Sequence, residues 1–152
     1  MQFKMIVAID EKNGIGKKGT IPWYIPEDLK YFSRLTKGNG NNAVIMGRKT
    51  YESIGKALPK RTNLVLTGDT CFNKDKKDIY CFSSIESIEE NLKTEKYNEV
   101  WVIGGSSLYN SFISKVNELY VTEIEGDFDC DTFFVEDYEK LFDKNEIIGK
   151  NQ

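Results

Sequence analysis

The chain has 152 residues, of which 39% are hydrophobic and 30% are charged, which is the size and composition of one ordinary globular domain. Its formal net charge of −3, with both signs mixed along the chain, excludes the basic surface that binds nucleic acid or an anionic membrane. The sequence contains no histidine, which excludes Ser-His-Asp and Cys-His nucleophiles and HExxH zinc chemistry.

The chain begins with a predicted buried strand, residues 3–9, followed by a glycine-rich segment. Residues 14–19 read GIGKKG and match the pattern G-x-G-x-x-G, which opens a helix in a dinucleotide-binding Rossmann unit. Here Pro22 follows, and no helical pattern begins before Pro26. We therefore interpret this segment as a mobile loop that lies over a site, and not as a phosphate-binding turn.

A helix is predicted to begin at Pro26, because the fixed φ of proline suits the first helical position. The apolar residues that follow helical spacing are Ile25, Leu29, Phe32 and Leu35. Asp28 falls on the same stripe. Two interpretations of Asp28 remain open: an acid favoured in the first turn by the helix dipole, or a buried carboxylate that binds a cationic or amidine-like ligand.

The next predicted strand, residues 43–46, ends in Gly47 and leads into a helix that carries Tyr51, Ile54 and Leu58. The N-terminus of a helix offers unpaired N–H groups to an anion. Arg48 and Lys49 at that position indicate either a phosphate site or an exposed basic pair.

A similar junction follows the predicted strand at residues 100–103. Gly104 and Gly105 end this strand, and a helix begins at Ser106 and Ser107 and continues to residue 116. Paired glycines allow a ligand to approach the backbone closely, so the junction indicates either a pyrophosphate site or a tight turn that binds nothing.

The remaining elements complete an alternating pattern. Strands are predicted at residues 64–67, 79–82 and 118–124, and a helix at 85–92 can be capped by Ser84 or Ser87. Strands that alternate with helices predict a single α/β domain, with a mostly parallel central β-sheet flanked by helices.

The cysteines indicate the compartment. Cys71, Cys81 and Cys130 are odd in number and form no CxxC pair, which predicts reduced thiols and argues against a zinc site. The first residues lack the charged and apolar regions of a signal peptide, and no apolar window has the length of a membrane span. We therefore expect a cytoplasmic protein.

Four segments together resemble the dihydrofolate reductase family. They read IPWYIPEDLKYF at 21–32, VIMGRKTYESIGKALPKRTN at 44–63, VWVIGGSSLYNSF at 100–112 and ELYVTEIEGDFDCDTFF at 118–134. The resemblance runs from Met5 to about Phe134 and implies an enzyme of one-carbon metabolism and tetrahydrofolate biosynthesis. The implied reaction is the NADPH-dependent reduction of 7,8-dihydrofolate to 5,6,7,8-tetrahydrofolate by hydride transfer to the pterin ring.

On the substrate side, the resemblance implies that Asp28 is the active-site acid, with Thr122 as its hydroxyl partner. A carboxylate can accept two parallel hydrogen bonds from a pterin, and burial would raise its pKa. Trp23 and the loop at 14–21 would control the access of water. The implied substrate-binding residues are Ile6, Val7, Phe32, Ile54, Leu58, Arg61, Ile103 and Tyr109, with Arg61 pairing with the α-carboxylate of the glutamate tail.

On the cofactor side, the resemblance implies an NADPH site and no metal. Ala8 and Ile15 would meet the nicotinamide carboxamide, and Thr67 would lie near the adenine. Residues for the phosphates would be Gly47, Arg48, Lys49 and Thr50, with Arg48 and Lys49 facing the 2′-phosphate. Residues for the pyrophosphate would be Gly104, Gly105, Ser106 and Ser107.

The sequence departs from the family pattern at three places. Cys130 stands where the family often has glycine, and Val135 replaces a usual proline. The sequence ends at Gln152, whereas the family continues through an antiparallel strand that pairs around residues 146–148. This predicts a domain that is truncated at its C-terminal end, with a sheet edge covered by self-association or a fused partner.

Two other functions remain open from the sequence. One is a related reductase of pyrimidine intermediates in flavin synthesis, against which Asp28 and Arg61 argue. The other is a non-catalytic pterin- or nucleotide-binding remnant, or one domain of a larger fused protein.

Overall fold

The computed structural model describes residues 2–68 and 79–142. The strands are β1 Gln2–Ile9, β2 Gly14–Gly16, β3 Ala43–Gly47, β4 Thr62–Leu66, β5 Ile79–Phe82, β6 Glu99–Gly104, β7 Glu118–Glu123 and β8 Thr132–Phe133. The helices are α1 Pro26–Lys37, α2 Arg48–Ile54, α3 Ile85–Thr94 and α4 Ser106–Phe112, followed by a 3-10 turn at Tyr138–Leu141.

Six strands form the central sheet in the order β5-β4-β3-β6-β1-β7, and each neighbouring pair is parallel. This confirms the predicted mostly parallel α/β sheet. All the carboxyl ends of parallel strands lie at one edge of the sheet. From β1 the strands β3, β4 and β5 are added toward one side of the sheet, after which the chain returns to place β6 between β3 and β1 and β7 on the other side of β1. Ligands of open α/β sheets bind where the order of strands reverses in this way.

The glycine-rich segment is partly a strand, which corrects its interpretation as a loop throughout. Gly14 pairs with Phe133 and Gly16 with Thr132 in a small antiparallel sheet of β2 and β8. The Lys17 N–H then donates to the Thr20 carbonyl at 2.7 Å and closes a turn. No helix opens before Pro26, so the segment is not a Rossmann fingerprint.

The core occupies both faces of the central sheet. Successive side chains of a strand point to opposite faces, so β1 contributes Met5, Val7 and Ile9 to one hydrophobic cluster and Ile6 to the other. The same alternation divides β3, where Val44 and Met46 join the cluster of Ile6. These near-continuous apolar strands are buried because helices cover both faces.

Two helices are shorter than predicted. Gly55 follows α2 in the left-handed region at φ 90°, which ends the helix at Ile54 and leaves Leu58 beyond it. Helix α4 ends at Phe112, so the predicted continuation to residue 116 is wrong. Helix α3 has the predicted cap, in which Ser84 and Ser87 form a reciprocal capping box.

Some predictions fall outside the described residues. These are the thiol of Cys71 and the expected strand around residues 146–148. Within residues 2–68 and 79–142, no helix has the length and apolar character needed to cross a membrane.

Candidate active site

Asp28 lies in the first turn of α1, with its carboxylate facing β7. Its carboxylate accepts a hydrogen bond from the hydroxyl of Thr122. Burial raises the pKa of Asp28 above its usual value, and the bond from Thr122 opposes part of that rise. Thr122 pairs with Ala8 in the sheet, so the carboxylate lies near the carboxyl end of β1.

The inward face of α1 differs from the predicted stripe. Leu29 is 52% exposed, whereas Tyr31, Phe32 and Leu35 pack against the cluster of Ile6. The prediction counted helical steps from Ile25, which is the N-cap and has extended dihedrals of φ −128° and ψ 99°. Ile25 therefore does not belong to the helical face, and without it the face is centred on Asp28, Phe32 and Leu35. Leu29 lies about 100° around the helix from Asp28 and falls outside that face.

Several predicted substrate residues do come together beside α1. Ile6, Ile54, Leu58 and Ile103 belong to the same cluster as Phe32. Val7 does not, because its side chain lies in the cluster on the opposite face of the sheet. Adjacent residues of a strand face opposite sides, so Val7 could meet a ligand here only through its main chain.

Tyr109 connects two strands at this edge. Its hydroxyl oxygen lies 2.9 Å from the carbonyl oxygen of Ile6 and 2.9 Å from that of Ile103, and its single proton can be donated to either. Tyr109 is buried, and burial raises its pKa, so the hydroxyl stays protonated. Either bond ties α4 to the sheet, at β1 or at the neighbouring β6.

Arg61 is a buried cation without a carboxylate partner among residues 2–68 and 79–142. Its Nε donates to the Pro59 carbonyl at 2.9 Å, and its Nη1 donates to Oγ1 of Thr36 at 2.8 Å. Burial lowers its pKa. A cavity of about 150 Å³ adjoins it, lined by Asn41, Asn42, Lys60, Arg61 and Thr62. The sequence analysis missed Thr36, which fixes the orientation of the guanidinium group.

Two strand-to-helix junctions lie side by side at the same edge. Met46 of β3 pairs with Gly104 of β6, so the starts of α2 and α4 are neighbours. A Cβ on Gly104 would lie 3.5 Å from Oγ1 of Thr50, and one on Gly105 would lie 3.7 Å from the same atom. Gly104 also has φ +130°, which disfavours other residues. The structure thus brings Thr50 to the paired glycines, with Ser106 and Ser107 next in the chain.

The basic pair after β3 is divided between two environments. Nε of Arg48 donates to Oε2 of Glu52 at 3.2 Å, one helical turn further along α2. Lys49 is exposed and helps to line a cleft of about 500 Å³ between the glycine-rich segment and α2; its lining residues are Lys18, Gly19, Thr20, Lys49, Glu52 and Ser53. Glu52 was missed, although its i+4 spacing from Arg48 could have indicated the pair.

The other predicted cofactor residues lie around these junctions. Ala8 is the penultimate residue of β1 and is partly exposed, and Ile15 in β2 packs against the core. Thr67 is buried directly after β4, where its N–H donates to the Phe82 carbonyl at 2.8 Å.

Trp23 lies just before α1, with its ring 5.1 Å from that of Phe128. The fold therefore defines an α/β protein with a parallel sheet, and Asp28 and the two junctions form a candidate ligand site at the carboxyl edge of that sheet.

Comparison with known proteins gives the family. The sequence model of the dihydrofolate reductase family matches residues 2–152, and the chain belongs to that family. It is 41% identical to the dihydrofolate reductase of Staphylococcus aureus over 158 aligned positions, which cover 97% of this chain and 93% of the relative. It is 42% identical to that of Staphylococcus haemolyticus over 134 positions, covering 88% of this chain and 76% of the relative.

A solved structure gives the same result. The dihydrofolate reductase from Enterococcus faecalis, complexed with NADP(H) and RAB-propyl, superimposes with a TM-score of 0.78 at 34% sequence identity. The match covers 91% of this chain and 80% of that one.

Proposed function

We propose that this protein reduces 7,8-dihydrofolate to 5,6,7,8-tetrahydrofolate with NADPH. The observation that carries the proposal is the Asp28 carboxylate, which is held by Thr122 at the ligand-binding edge of a dihydrofolate reductase fold. A charged group on the inner face of a helix is costly to bury, and a ligand that donates to it compensates that cost.

Asp28 would bind and polarise the pterin ring. Its two oxygens can accept parallel hydrogen bonds from a ring N–H and the 2-amino group. The negative charge stabilises the protonated form of the ring, which is the form that accepts electrons most readily. Thr122 would keep the carboxylate oriented, and Trp23 would limit the access of water.

The residues at the two junctions fit NADPH. The paired glycines leave the space beside Thr50 that a phosphate could approach, and the N-termini of α2 and α4 offer unpaired N–H groups there. Arg48 and Lys49 would hold the 2′-phosphate, and Ala8 and Ile15 would position the nicotinamide through main-chain groups. When bound, NADPH supplies the hydride for the reduction.

Arg61 would bind the glutamate tail of the substrate. A buried guanidinium without a counter-ion in the described chain favours a carboxylate from outside, and its planar shape suits two parallel hydrogen bonds. We also infer a cytoplasmic enzyme, which the free thiol of Cys130 supports.

A spectrophotometric assay tests the proposed function. Purified protein is mixed with NADPH, and absorbance at 340 nm is followed with and without dihydrofolate. We expect a loss of absorbance that requires both compounds. A folded protein that gives no loss above the blank would contradict the proposal and favour a non-catalytic binding module. Loss with a pyrimidine intermediate of flavin synthesis, but not with dihydrofolate, would favour the related reductase.

A further inference from the structure

Asp10 is a buried carboxylate that lies directly after β1 and outside the site described above. The residue is 3% exposed. Its Oδ1 accepts the Gly14 N–H at 2.7 Å and the Lys12 N–H at 2.9 Å. This oxygen therefore shapes the turn that leads into β2 and the glycine-rich segment.

The other oxygen of Asp10 reaches a distant loop. Its Oδ2 accepts the Phe128 N–H at 3.0 Å, and the Cys130 thiol lies 3.6 Å away as a second, weaker donor. Each oxygen thus serves a different segment, one the turn at residues 12–14 and the other the loop at 126–130. The carboxylate joins the two.

Phe128 carries this connection to the active site. Its ring packs edge-on against Trp23, with centroids 5.1 Å apart and planes at 64°. Gly126 leaves room for the ring, since a Cβ there would lie 3.3 Å from it. Asp10 thus accepts from the main chain of the residue whose ring contacts Trp23.

We propose that Asp10 is a positioning residue that holds Phe128 against Trp23 and thereby keeps Trp23 at the entrance to the site of Asp28. The proposal rests on the proposed function, because it assigns Asp10 a role in that reaction. Asp10 acts through Phe128 and does not itself contact the substrate.

The Asp10→Asn variant separates the two halves of the connection. The amide oxygen can still accept the N–H groups of Gly14 and Lys12. The NH2 group would face the Phe128 N–H, and two N–H donors cannot form a hydrogen bond with each other. Asp129→Asn is the matched control. Its side chain is 92% exposed and, within residues 2–68 and 79–142, forms one ion pair, with Lys17 at 3.4 Å, which also joins the two segments.

The first measurement does not depend on activity. The protein has two tryptophans, Trp23 and Trp101, so labelling with 5-fluorotryptophan gives two 19F resonances that Trp23→Phe assigns. We expect Asp10→Asn to shift or broaden the Trp23 resonance and leave that of buried Trp101 in place, while Asp129→Asn changes neither. Phe128→Leu should shift the same resonance, and it is the variant to measure if Asp10→Asn does not fold. An unchanged Trp23 resonance in either folded variant would overturn the proposal.

The second measurement asks whether the position matters for the reaction. We expect Asp10→Asn to lower kcat about tenfold, with the KM for dihydrofolate within about twofold of the parent, because misplaced groups cost rate more than binding. Phe128→Leu should act alike, and the double variant should lose no more than the worse single one. Unchanged kcat, or losses that multiply, would show that Asp10 does not act through Phe128. An inactive parent would instead refute the proposed function.

Discussion

The carboxylate of Asp28 on α1 accepts a hydrogen bond from the hydroxyl of Thr122 on β7, and Thr122 in turn pairs with Ala8 at the end of β1. The contact joins a helix to the sheet, and it opposes the effect of burial on the pKa of Asp28. Burial raises the pKa of Asp28, and the hydrogen bond to its ionised form lowers it.

Thr122→Val should raise the pKa of Asp28 further, because it removes the bond and leaves the burial. A hydrogen bond to a charged group contributes on the order of 1.5 kcal/mol, so kcat/KM for dihydrofolate should fall about tenfold. The pKa is measured from the 13C shift of the Asp28 carboxyl group. Thr94→Val, at an exposed threonine of α3, is the control. An unchanged Asp28 pKa would mean that the bond does not stabilise the carboxylate.

Asp28→Asn should retain the fold and lose turnover on the order of 100-fold at neutral pH. The amide cannot stabilise a protonated pterin ring. Part of the activity should return in acid, where the substrate is protonated without help from the protein. Turnover at pH 7 within a few-fold of the parent would remove Asp28 from the mechanism.

The same variant should be more stable than the parent at neutral pH. Because the folded pKa of Asp28 is raised above 3.8, the folded state binds the proton more tightly, and the parent loses stability as pH rises through that pKa. Asp28→Asn has no such loss. Urea titrations at several pH values should therefore show a stability difference above the folded pKa that disappears below pH 3.8. A difference independent of pH would contradict this account.

Arg61→Lys should raise the KM for dihydrofolate about tenfold or more, because lysine cannot form two parallel hydrogen bonds with a carboxylate. The control is a substrate, 6-methyl-7,8-dihydropterin, which lacks the glutamate tail and should react with both proteins equally well. An equal loss with both substrates would show that Arg61 supports the fold, through Thr36 and Pro59, and not the tail.

Arg48→Ala should reduce the preference for NADPH over NADH about 30-fold, since a charge-assisted contact with the 2′-phosphate contributes on the order of 2 kcal/mol. The comparison is of kcat/KM for the two cofactors. Lys115→Ala removes an exposed cation that pairs with Glu89 and should leave the preference unchanged. If Arg48→Ala leaves it unchanged as well, the 2′-phosphate binds elsewhere.

Gly14→Ala should destabilise the protein by about 1–3 kcal/mol through overpacking. The new Cβ would lie 2.5 Å from both Cβ and Sγ of Cys130, and 2.9 Å from Oδ1 of Asp10. Adding Cys130→Gly removes the first two contacts and should restore part of the stability. Denaturant titrations of the two single variants and the double variant measure this. Additive effects would mean that the two side chains do not compete for the same space.

Much of the fold could be predicted from local sequence. The buried strands are near-continuous apolar runs, and each predicted strand of the central sheet appears within two residues of its expected ends. Helix ends were less predictable. Gly55 ends α2 where the apolar spacing continued to Leu58, because a left-handed residue stops a helix regardless of the pattern beyond it.

The sequence by itself determined the strands, from near-continuous apolar runs, and the α/β class, from the alternation of those runs with helices. It also placed Asp28 on the apolar stripe of a helix, which follows from the period of 3.6 residues. Tertiary structure alone decided that Thr122 reaches Asp28, that the Tyr109 hydroxyl reaches the Ile6 carbonyl, and that Asp10 reaches Phe128. Each of these contacts joins residues far apart in the chain. They exist only because strand order and register bring the carboxyl ends of β1, β6 and β7 to one edge, and no local pattern encodes that register.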